Sequence, residues 1–197
     1  MAVMLAAGPA AANSLQIPKA AFEILGGMQE PSSDQAMLVP QTRSNIPRSK
    51  RSQIIEFSEA LAPGSILVRT KERKLYFVLP GNKAIMYHVG VGKEGFTWSG
   101  TNKVTRKAAW PTWRPPQAMV EREAKKGRKL PAVMEGGPEN PLGARAIYIG
   151  HTEYRIHGTS QPWSIGLAVS SGCIRMMNEQ VIDLFERVKV GATVVVE

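Results

Sequence analysis

The sequence predicts a mainly β domain with one or two helices, and three observations support this fold class. From Gly64 onward, short runs rich in β-branched and aromatic residues are separated by turn residues, as is typical of strands. One later stretch, residues 178–188, has apolar side chains at helical spacing. The chain of 197 residues has room for one ordinary globular domain and a tail.

The strands are expected in two groups along the chain. The first group forms a meander, because Pro80-Gly81-Asn82 marks a tight turn between two of its members. The second group follows a Pro- and Trp-rich stretch and is interrupted by a helix. The predicted strands are residues 65–70, 73–79, 84–91, 144–150, 154–157 and 192–196.

Two segments are predicted to be helical. In residues 178–188, Asn178 is the expected N-cap, Glu179 lies in the first turn and Gly191 ends the helix. The other segment, residues 117–126, is short and heavily charged, which favours a lid on the surface of the domain.

The expected domain organisation has three parts. Residues 1–12 are apolar and Ala-rich, so they are interpreted as a remnant of an export signal from a misassigned start or as a disordered tail. Residues 13–61 contain scattered prolines and a basic run, which indicates a flexible tether. Residues 62–197 form the folded domain, and no stretch approaches the ~18 apolar residues of a membrane span.

The composition excludes some classes of site and leaves several classes of binding partner possible. A single cysteine, Cys173, allows no internal disulfide and no cysteine-based zinc cage, so it serves either packing or chemistry. The formal net charge of +9 favours a polyanionic partner, which could be a nucleic acid, a membrane surface or a carboxylate-rich polymer.

One motif resembles a dinucleotide-binding fingerprint but lacks its context. Gly90-Val91-Gly92-Lys93-Glu94-Gly95 fits G-x-G-x-x-G and follows a predicted strand. The residues after it do not look like a helix start, and no acidic residue follows at the distance needed to hold a ribose. We interpret the motif as a glycine-rich turn.

The stretch from Tyr154 to Met177 carries the candidate chemistry. It places His157 at the end of a strand and Cys173 directly after Ser-Ser-Gly, so a thiol nucleophile could find an imidazole base. Gly172 would let backbone amides face an oxyanion, and Arg175 could bind a carboxylate on the same side as Cys173. The alternative is that Cys173 is a small buried hydrophobic residue without a chemical role, as lone cysteines often are. The other two histidines, His88 and His151, are expected to have structural roles only.

The same stretch resembles the active-site motif of the L,D-transpeptidase catalytic domain (YkuD) family, Gram-negative type. The resemblance rests on His157-Gly158-Thr159 followed by Gly172-Cys173-Ile174-Arg175. It extends over residues 62–197, about two thirds of the chain. The other matching segments are the Gly-Val-Gly-Lys turn, Trp-Pro-x-Trp-Arg-Pro-Pro and Asn140-Pro141-Leu142-Gly143.

The resemblance implies a β-sandwich-like domain that acts on peptidoglycan stem peptides without a cofactor or metal. Cys173 would attack the third-position diamino acid of a tetrapeptide stem and expel the terminal D-Ala. The thioester would then pass to an amine of another stem, which gives a 3→3 crosslink. The implied roles are base for His157, base orientation for the carbonyl of Gly158, oxyanion donors for Gly172 and Cys173, and substrate contacts for Arg175, Ser171 and Thr159.

One residue departs from the family pattern, and several alternatives remain open. Where the family usually has a histidine before Gly-Cys, this chain has Ser171, which can donate a hydrogen bond but cannot carry a positive charge. The acyl-enzyme could also be resolved by an outer-membrane protein or by water, and residues 117–131 are expected to influence that choice.

The expected cellular location follows from the substrate that the resemblance implies. The resemblance implies an exported, periplasmic monomer that has no nucleic-acid partner. A basic cell-wall-binding protein without catalysis is the alternative from another class, and a nucleic-acid binder would use the same basic surface.

Overall fold

The computed structural model describes residues 48–94, 96 and 98–197, and this part of the chain contains eleven strands and two α-helices. The strands are β1 (Gln53–Glu56), β2 (Ile66–Arg69), β3 (Lys74–Leu79), β4 (Lys83–His88), β5 (Val91–Gly92), β6 (Gly100–Ala109), β7 (Arg145–Ile149), β8 (Arg155–His157), β9 (Ala168–Ser170), β10 (Ile174–Arg175) and β11 (Thr193–Val196). The helices are α1 (Gln117–Ala124) and α2 (Asn178–Arg187).

In the described residues, nine of the strands form one mixed sheet in the order β1-β4-β3-β2-β11-β6-β7-β8-β10. Most neighbours are antiparallel, but β11 pairs in parallel with β2, and β10 pairs in parallel with β8. The other two strands, β5 and β9, pair with each other. The predicted mainly β fold with one or two helices is therefore confirmed, and the number of α-helices in the described residues is two.

One large apolar core joins both ends of this sheet. Leu75 and Tyr87 from the β3–β4 end lie in the same buried cluster as Ile156 and Ile174 from the β8–β10 end. Because distant strands contribute to one core, the sheet must curl around it. Val181 and Leu184 of α2 are fully buried in the same cluster, so the helix covers the core.

A second apolar cluster lies on the other face of β2–β4. Strand β2 is buried on both faces, with Ile66 and Val68 in the large core and Leu67 in the second cluster. Phe57 is buried in this second cluster, and its ring lies 5.6 Å from that of Tyr76. The second cluster is therefore covered in part by residues that precede position 62.

The prediction of a flexible tether over residues 13–61 is therefore wrong for the last part of that range. Residues 53–56 form β1, which pairs antiparallel with β4, and Gln180 Nε2 donates to the Lys50 carbonyl at 2.8 Å. The prediction missed β1 because most of its side chains are exposed, so it shows no apolar alternation. The expectations for residues 1–47 lie outside the described residues.

The strand predictions hold for the apolar strands and fail for the polar and short ones. Strand β6 was not assigned, since only Val104 among its ten residues is buried. Val91–Gly92, interpreted as a turn, is a short strand instead. The described residues between Gly92 and β6 contain no helix, as expected for a sequence that only resembles a dinucleotide fingerprint.

A lysine from β6 closes the C-terminal end of α2. Lys107 Nζ donates to the carbonyls of Phe185 at 2.5 Å and Val188 at 2.8 Å, and it also lies 4.2 Å from the Phe185 ring centre. These carbonyls are at the end of the helix, where they have no intrahelical partner and the helix dipole favours a cation. The contact holds α2 against the sheet.

We expect Lys107→Met to lower the free energy of unfolding by about 2 kcal/mol, because it removes a partly buried charge from the helix terminus. Urea denaturation followed by circular dichroism measures this change. The matched control is Lys103→Met on the same strand, whose contact with the Gly191 carbonyl is 3.5 Å and exposed. Equal losses in the two variants would contradict the role of Lys107.

Candidate active site

The register between β8 and β10 brings the predicted site residues together. Arg175 pairs with His157, and Ile174 pairs with Ile156. Paired residues point to the same face of a sheet, and side chains alternate along each strand. The isoleucines therefore enter the core, while His157, Cys173 and Arg175 face a common cavity of about 530 Å³.

The cavity wall opposite these strands comes from the region predicted to be a lid. Met119 and Arg122 of α1 line the cavity, as do Trp113 and Arg114 from the preceding segment. None of the buried side chains belongs to α1, so this helix is a surface feature whose inner side faces the site. His88 and His151 do not line the cavity.

Cys173 is a protonated thiol in this environment. Burial raises the pKa of Cys173, while the positive charges of Arg155 and Arg175 act in the opposite direction. The Sγ atom lies 3.7 Å from the Glu153 carbonyl oxygen, to which a thiol can donate. A nucleophilic role therefore requires a base that removes this proton.

His157 is the candidate for this base. Its side chain is buried, and Nδ1 donates to the Gly158 carbonyl at 2.6 Å, the contact that the family resemblance implies. Burial, and then the charge of Arg175, lower the pKa of His157 to about 3, whereas the carbonyls of Gly158 and Leu142 act to raise it. The imidazole is therefore neutral at pH 7 and can accept a proton.

Arg175 is a cation without a charged partner among the described residues. Its Nη1 makes long contacts with Gln161 Oε1 at 3.4 Å and Ser164 Oγ at 3.5 Å, and its buried Nε has no partner there. Burial lowers the pKa of Arg175, which reflects the cost of holding this charge away from water. A ligand carboxylate would restore the missing hydrogen bonds.

The turn that carries Cys173 is held by Ser170. Its hydroxyl donates to the Cys173 carbonyl at 2.6 Å and accepts the Gly172 N–H at 3.2 Å. Gly172 has φ +107°, and a Cβ there would lie 2.4 Å from the Tyr154 ring, so only glycine fits. The Tyr154 ring itself stacks on Trp98 at 5.1 Å.

This turn corrects part of the predicted oxyanion site. The Gly172 N–H was expected to face an oxyanion, but it is already donated to Ser170. The Cys173 N–H, by contrast, makes no hydrogen bond with the described residues. Sequence reasoning missed Ser170 because it took Ser171 as the functional serine of the pair.

Ser171 and Thr159 both line the cavity but differ in their contacts. Ser171 is exposed at the cavity surface. Thr159 is buried, and its hydroxyl accepts the Gln161 N–H at 2.9 Å, so it orders the loop after β8. Ser171 is therefore free to meet a ligand, whereas the Thr159 hydroxyl already has a partner in the loop.

Two asparagines hold the loops around the site. The Asn140 side chain donates to the carbonyls of Pro111, Met134 and Glu135 and accepts the Leu142 N–H at 2.8 Å. It thereby ties together the segments before and after α1. Asn140 was noted only as part of an Asn-Pro-Leu-Gly match, because sequence reasoning gave no sign of these partners.

Asn178 is the second of these asparagines, and its predicted role as N-cap is wrong. The N-cap of α2 is Met177, and no side chain caps the helix. Asn178 Oδ1 instead accepts the N–H groups of Ala144 at 3.0 Å and Thr159 at 3.2 Å, and Nδ2 donates to the Thr159 carbonyl at 3.1 Å. An asparagine before an apolar helical pattern has the same sequence signal in both roles.

Two further classes of site are not found in the part of the chain that the structure describes. Its histidine, cysteine and acidic side chains form no group of three or more that could hold a metal ion. None of its helices is both long and apolar enough to span a membrane.

Comparison with known proteins decides the family. The L,D-transpeptidase catalytic domain (YkuD) family model matches residues 63–196. The chain belongs to this family. It is 43% identical over 134 residues to the probable L,D-transpeptidase YbiS of Escherichia coli K12, which is 66% of this chain and 43% of YbiS. The chain thus spans less than half the length of this curated relative.

Solved structures share the fold. A crystal structure of L,D-transpeptidase 3 from Mycobacterium tuberculosis is 15% identical, with a TM-score of 0.50 over 68% of this chain and 60% of its own. A second crystal structure, from Brucella melitensis, is 42% identical with a TM-score of 0.51, over 77% of this chain and 96% of its own. That protein is named a probable carnitine operon oxidoreductase, caia.

Burial of His157 predicts a distinct dependence of stability on pH. Its pKa of about 3 in the folded chain lies below the ordinary value of 6.5, so the unfolded chain binds more protons between these two pH values. We expect the free energy of unfolding to fall as pH falls through this window, by up to about 1.4 kcal/mol per pH unit from this group.

Denaturation of the wild type and of His157→Gln from pH 7 to pH 4 measures this contribution. The variant should lose part of the slope, because glutamine does not titrate. Parallel stability curves for the two proteins would contradict a neutral, buried His157.

Proposed function

We propose that this protein is a peptidoglycan L,D-transpeptidase with Cys173 as its nucleophile. The thiolate attacks the carbonyl carbon of the third-position diamino acid in a tetrapeptide stem. The C–N bond to the terminal D-Ala breaks, and a thioester forms on Cys173. An amine of another stem then attacks the thioester, so that a new amide forms and the thiol is regenerated.

The observation that carries this proposal is that a thiol, a neutral imidazole and a guanidinium without a charged partner among the described residues line the same cavity. Cys173, His157 and Arg175 line it together through the β8–β10 register. These groups supply a nucleophile, a base and a carboxylate-binding cation, which acyl transfer on a peptide stem requires. The likeness to proteins named L,D-transpeptidases supports the same reaction.

The two half-reactions use the same proton acceptor. His157 takes the thiol proton and gives it to the leaving amine of D-Ala, since that amine must be protonated to depart. In the second half-reaction, His157 takes a proton from the attacking amine and returns it to the thiolate. The Cys173 N–H, which has no partner among the described residues, is suited to stabilise the oxyanion in both steps.

We propose a second stem as the acyl acceptor, and the periplasm as the compartment where such stems are found. Attachment of an outer-membrane protein and hydrolysis use the same acyl-enzyme, so they are alternative outcomes of one assay. A redox reaction, which the name of the Brucella protein suggests, has less support. Val91–Gly92 form a short strand, and the described residues between this strand and β6 contain no helix.

We expect Cys173→Ala to abolish release of D-Ala from purified tetrapeptide muropeptides, because alanine cannot form the thioester. Mass spectrometry of the products separates a 3→3 crosslinked dimer from a tripeptide made by hydrolysis. Loss of at least a thousandfold is expected, since removal of a nucleophile leaves only binding and oxyanion contacts.

Cys173→Ser is the matched control, because it keeps the shape of the residue and its weaker nucleophile should leave at most trace activity. Wild-type protein that binds the muropeptides but releases no D-Ala would favour the non-catalytic cell-wall-binding alternative. Release that continues in Cys173→Ala would exclude Cys173 as the nucleophile.

We expect Arg175→Gln to raise the KM for the tetrapeptide donor roughly 10- to 100-fold, because it removes a charge-assisted hydrogen bond to the donor carboxylate. Alkylation of Cys173 by iodoacetamide should continue. Arg106→Gln, on the exposed face of β6, is the control for the loss of one positive charge. An unchanged donor KM in Arg175→Gln would show that Arg175 does not bind the donor.

A further inference from the structure

We propose that Asn178 is a positioning residue that acts on His157 through the Gly158–Thr159 peptide. This inference rests on the proposed function, because it assigns a role to the base of that reaction. Asn178 itself does not line the cavity. Its influence must therefore pass through the groups that it holds.

The first step of the argument is the peptide unit that lies between Asn178 and His157. Its N–H belongs to Thr159 and donates to Asn178 Oδ1 at 3.2 Å. Its C=O belongs to Gly158 and accepts His157 Nδ1–H at 2.6 Å. A trans peptide is planar, and its N–H and C=O point in opposite directions. Fixing the N–H therefore fixes the carbonyl that orients the imidazole.

The second step is that Asn178 is itself fixed. Its Oδ1 accepts a further bond from the Ala144 N–H at 3.0 Å, and its Nδ2 donates to the Thr159 carbonyl at 3.1 Å. It is the first residue of α2, whose Val181 and Leu184 are fully buried in the large core. The asparagine thus connects α2 to the segment before β7 and to the segment that follows His157.

The third step is that two glycines make this approach possible. A Cβ at Gly158 or at Gly143 would lie 2.2 Å from Asn178 Oδ1, a distance that side chains do not adopt. Gly143 also has φ +62°, which favours glycine. Both glycines lie in the motifs that carry the family resemblance, His157-Gly158-Thr159 and Asn140-Pro141-Leu142-Gly143. Asn178 explains the need for glycine at position 158, whereas at position 143 the backbone of Gly158 and Thr159 also excludes a Cβ.

The consequence for His157 is a defined tautomer. Asn178 Oδ1, the Gly158–Thr159 peptide and the imidazole form one chain of hydrogen bonds, and bonds in such a chain polarise one another. A polarised Gly158 carbonyl favours the proton on Nδ1. The other ring nitrogen, Nε2, then keeps its lone pair and is free to take the thiol proton.

A purely structural role of Asn178 predicts a different result. If the asparagine only stabilised α2, its loss would lower stability and leave the tautomer unchanged. Lys107→Met is the matched control, because it removes hydrogen bonds from the other end of the same helix. Any effect of reduced helix stability on activity should appear in both variants.

The test uses the full chain and two measurements on Asn178→Ala. Nitrogen-15 spectra of the histidine rings report which nitrogen carries the proton, with His157→Gln used for assignment among the three histidines. We expect the Nδ1–H form in the wild type and in Lys107→Met, and a mixture in Asn178→Ala. We also expect kcat for D-Ala release to fall roughly 10- to 100-fold in Asn178→Ala, with donor KM within twofold.

Asn178→Asp is the conservative variant, because it keeps an acceptor for both N–H groups at a helix start, where negative charge is favoured, and loses only the Nδ2 bond to the Thr159 carbonyl. We expect it to retain the Nδ1–H form and to exceed the kcat of Asn178→Ala. If Asn178→Ala does not fold, Asn178→Asp decides the question. Its stronger acceptor should then move the acid limb of the kcat/KM profile to higher pH, and an unmoved limb would overturn the proposal.

An unchanged tautomer in folded Asn178→Ala would also overturn it, as would equal loss of kcat in Lys107→Met. The spectra need no substrate. If the wild type showed the Nδ1–H form and Asn178→Ala the mixture, but neither released D-Ala, the proposed function would fail while the positioning role remained.

Discussion

The parallel pairing of β8 with β10 is the constraint on which the site depends. Ile156 and Ile174 are almost fully buried in the large core, and the alternation of side chains then turns His157, Cys173 and Arg175 toward the cavity. A slip of one residue would place these polar groups in the core and the isoleucines in the cavity, at a large cost in free energy. The hydrophobic core therefore sets the relative placement of these three side chains.

Burial also determines the charge state of the site. Desolvation is the largest cause of both the raised pKa of Cys173 and the lowered pKa of His157, so thiol and imidazole are both neutral at pH 7. The charge of Arg175 is the next cause of the lowered pKa of His157. A carboxylate bound to Arg175 would offset that charge and raise the basicity of the imidazole, so donor binding and proton transfer are electrostatically linked.

The parts of the molecule that sequence could predict are those with a strong local signal. The buried runs of β2, β3 and β4 and the helical spacing of α2 are of this kind, and so is the joint appearance of His157 and Cys173. Strand β1 was not predicted because its side chains are mostly exposed, and its pairing with β4 is visible only in three dimensions. The roles of Asn178 and Ser170 depend on partners brought close by folding, which no spacing along the chain reveals.

The cavity indicates which of the positive charges that make up the net charge of +9 are suited to bind a specific anion. Arg114, Arg122, Arg155 and Arg175 line it, but they do not act alike. Arg114 is exposed to solvent, Arg122 lies 3.6 Å from Glu123, and Arg155 donates to the Glu153 carbonyl. Exposed and ion-paired charges, such as those of Arg114 and Arg122, contribute little to binding a specific anion because water and salt screen them. Arg175 differs, since burial lowers the pKa of its guanidinium and its buried Nε has no hydrogen-bond partner in the described part of the chain. A half-buried cation beside Cys173 is therefore suited to bind a carboxylate more strongly than the exposed basic surface around it.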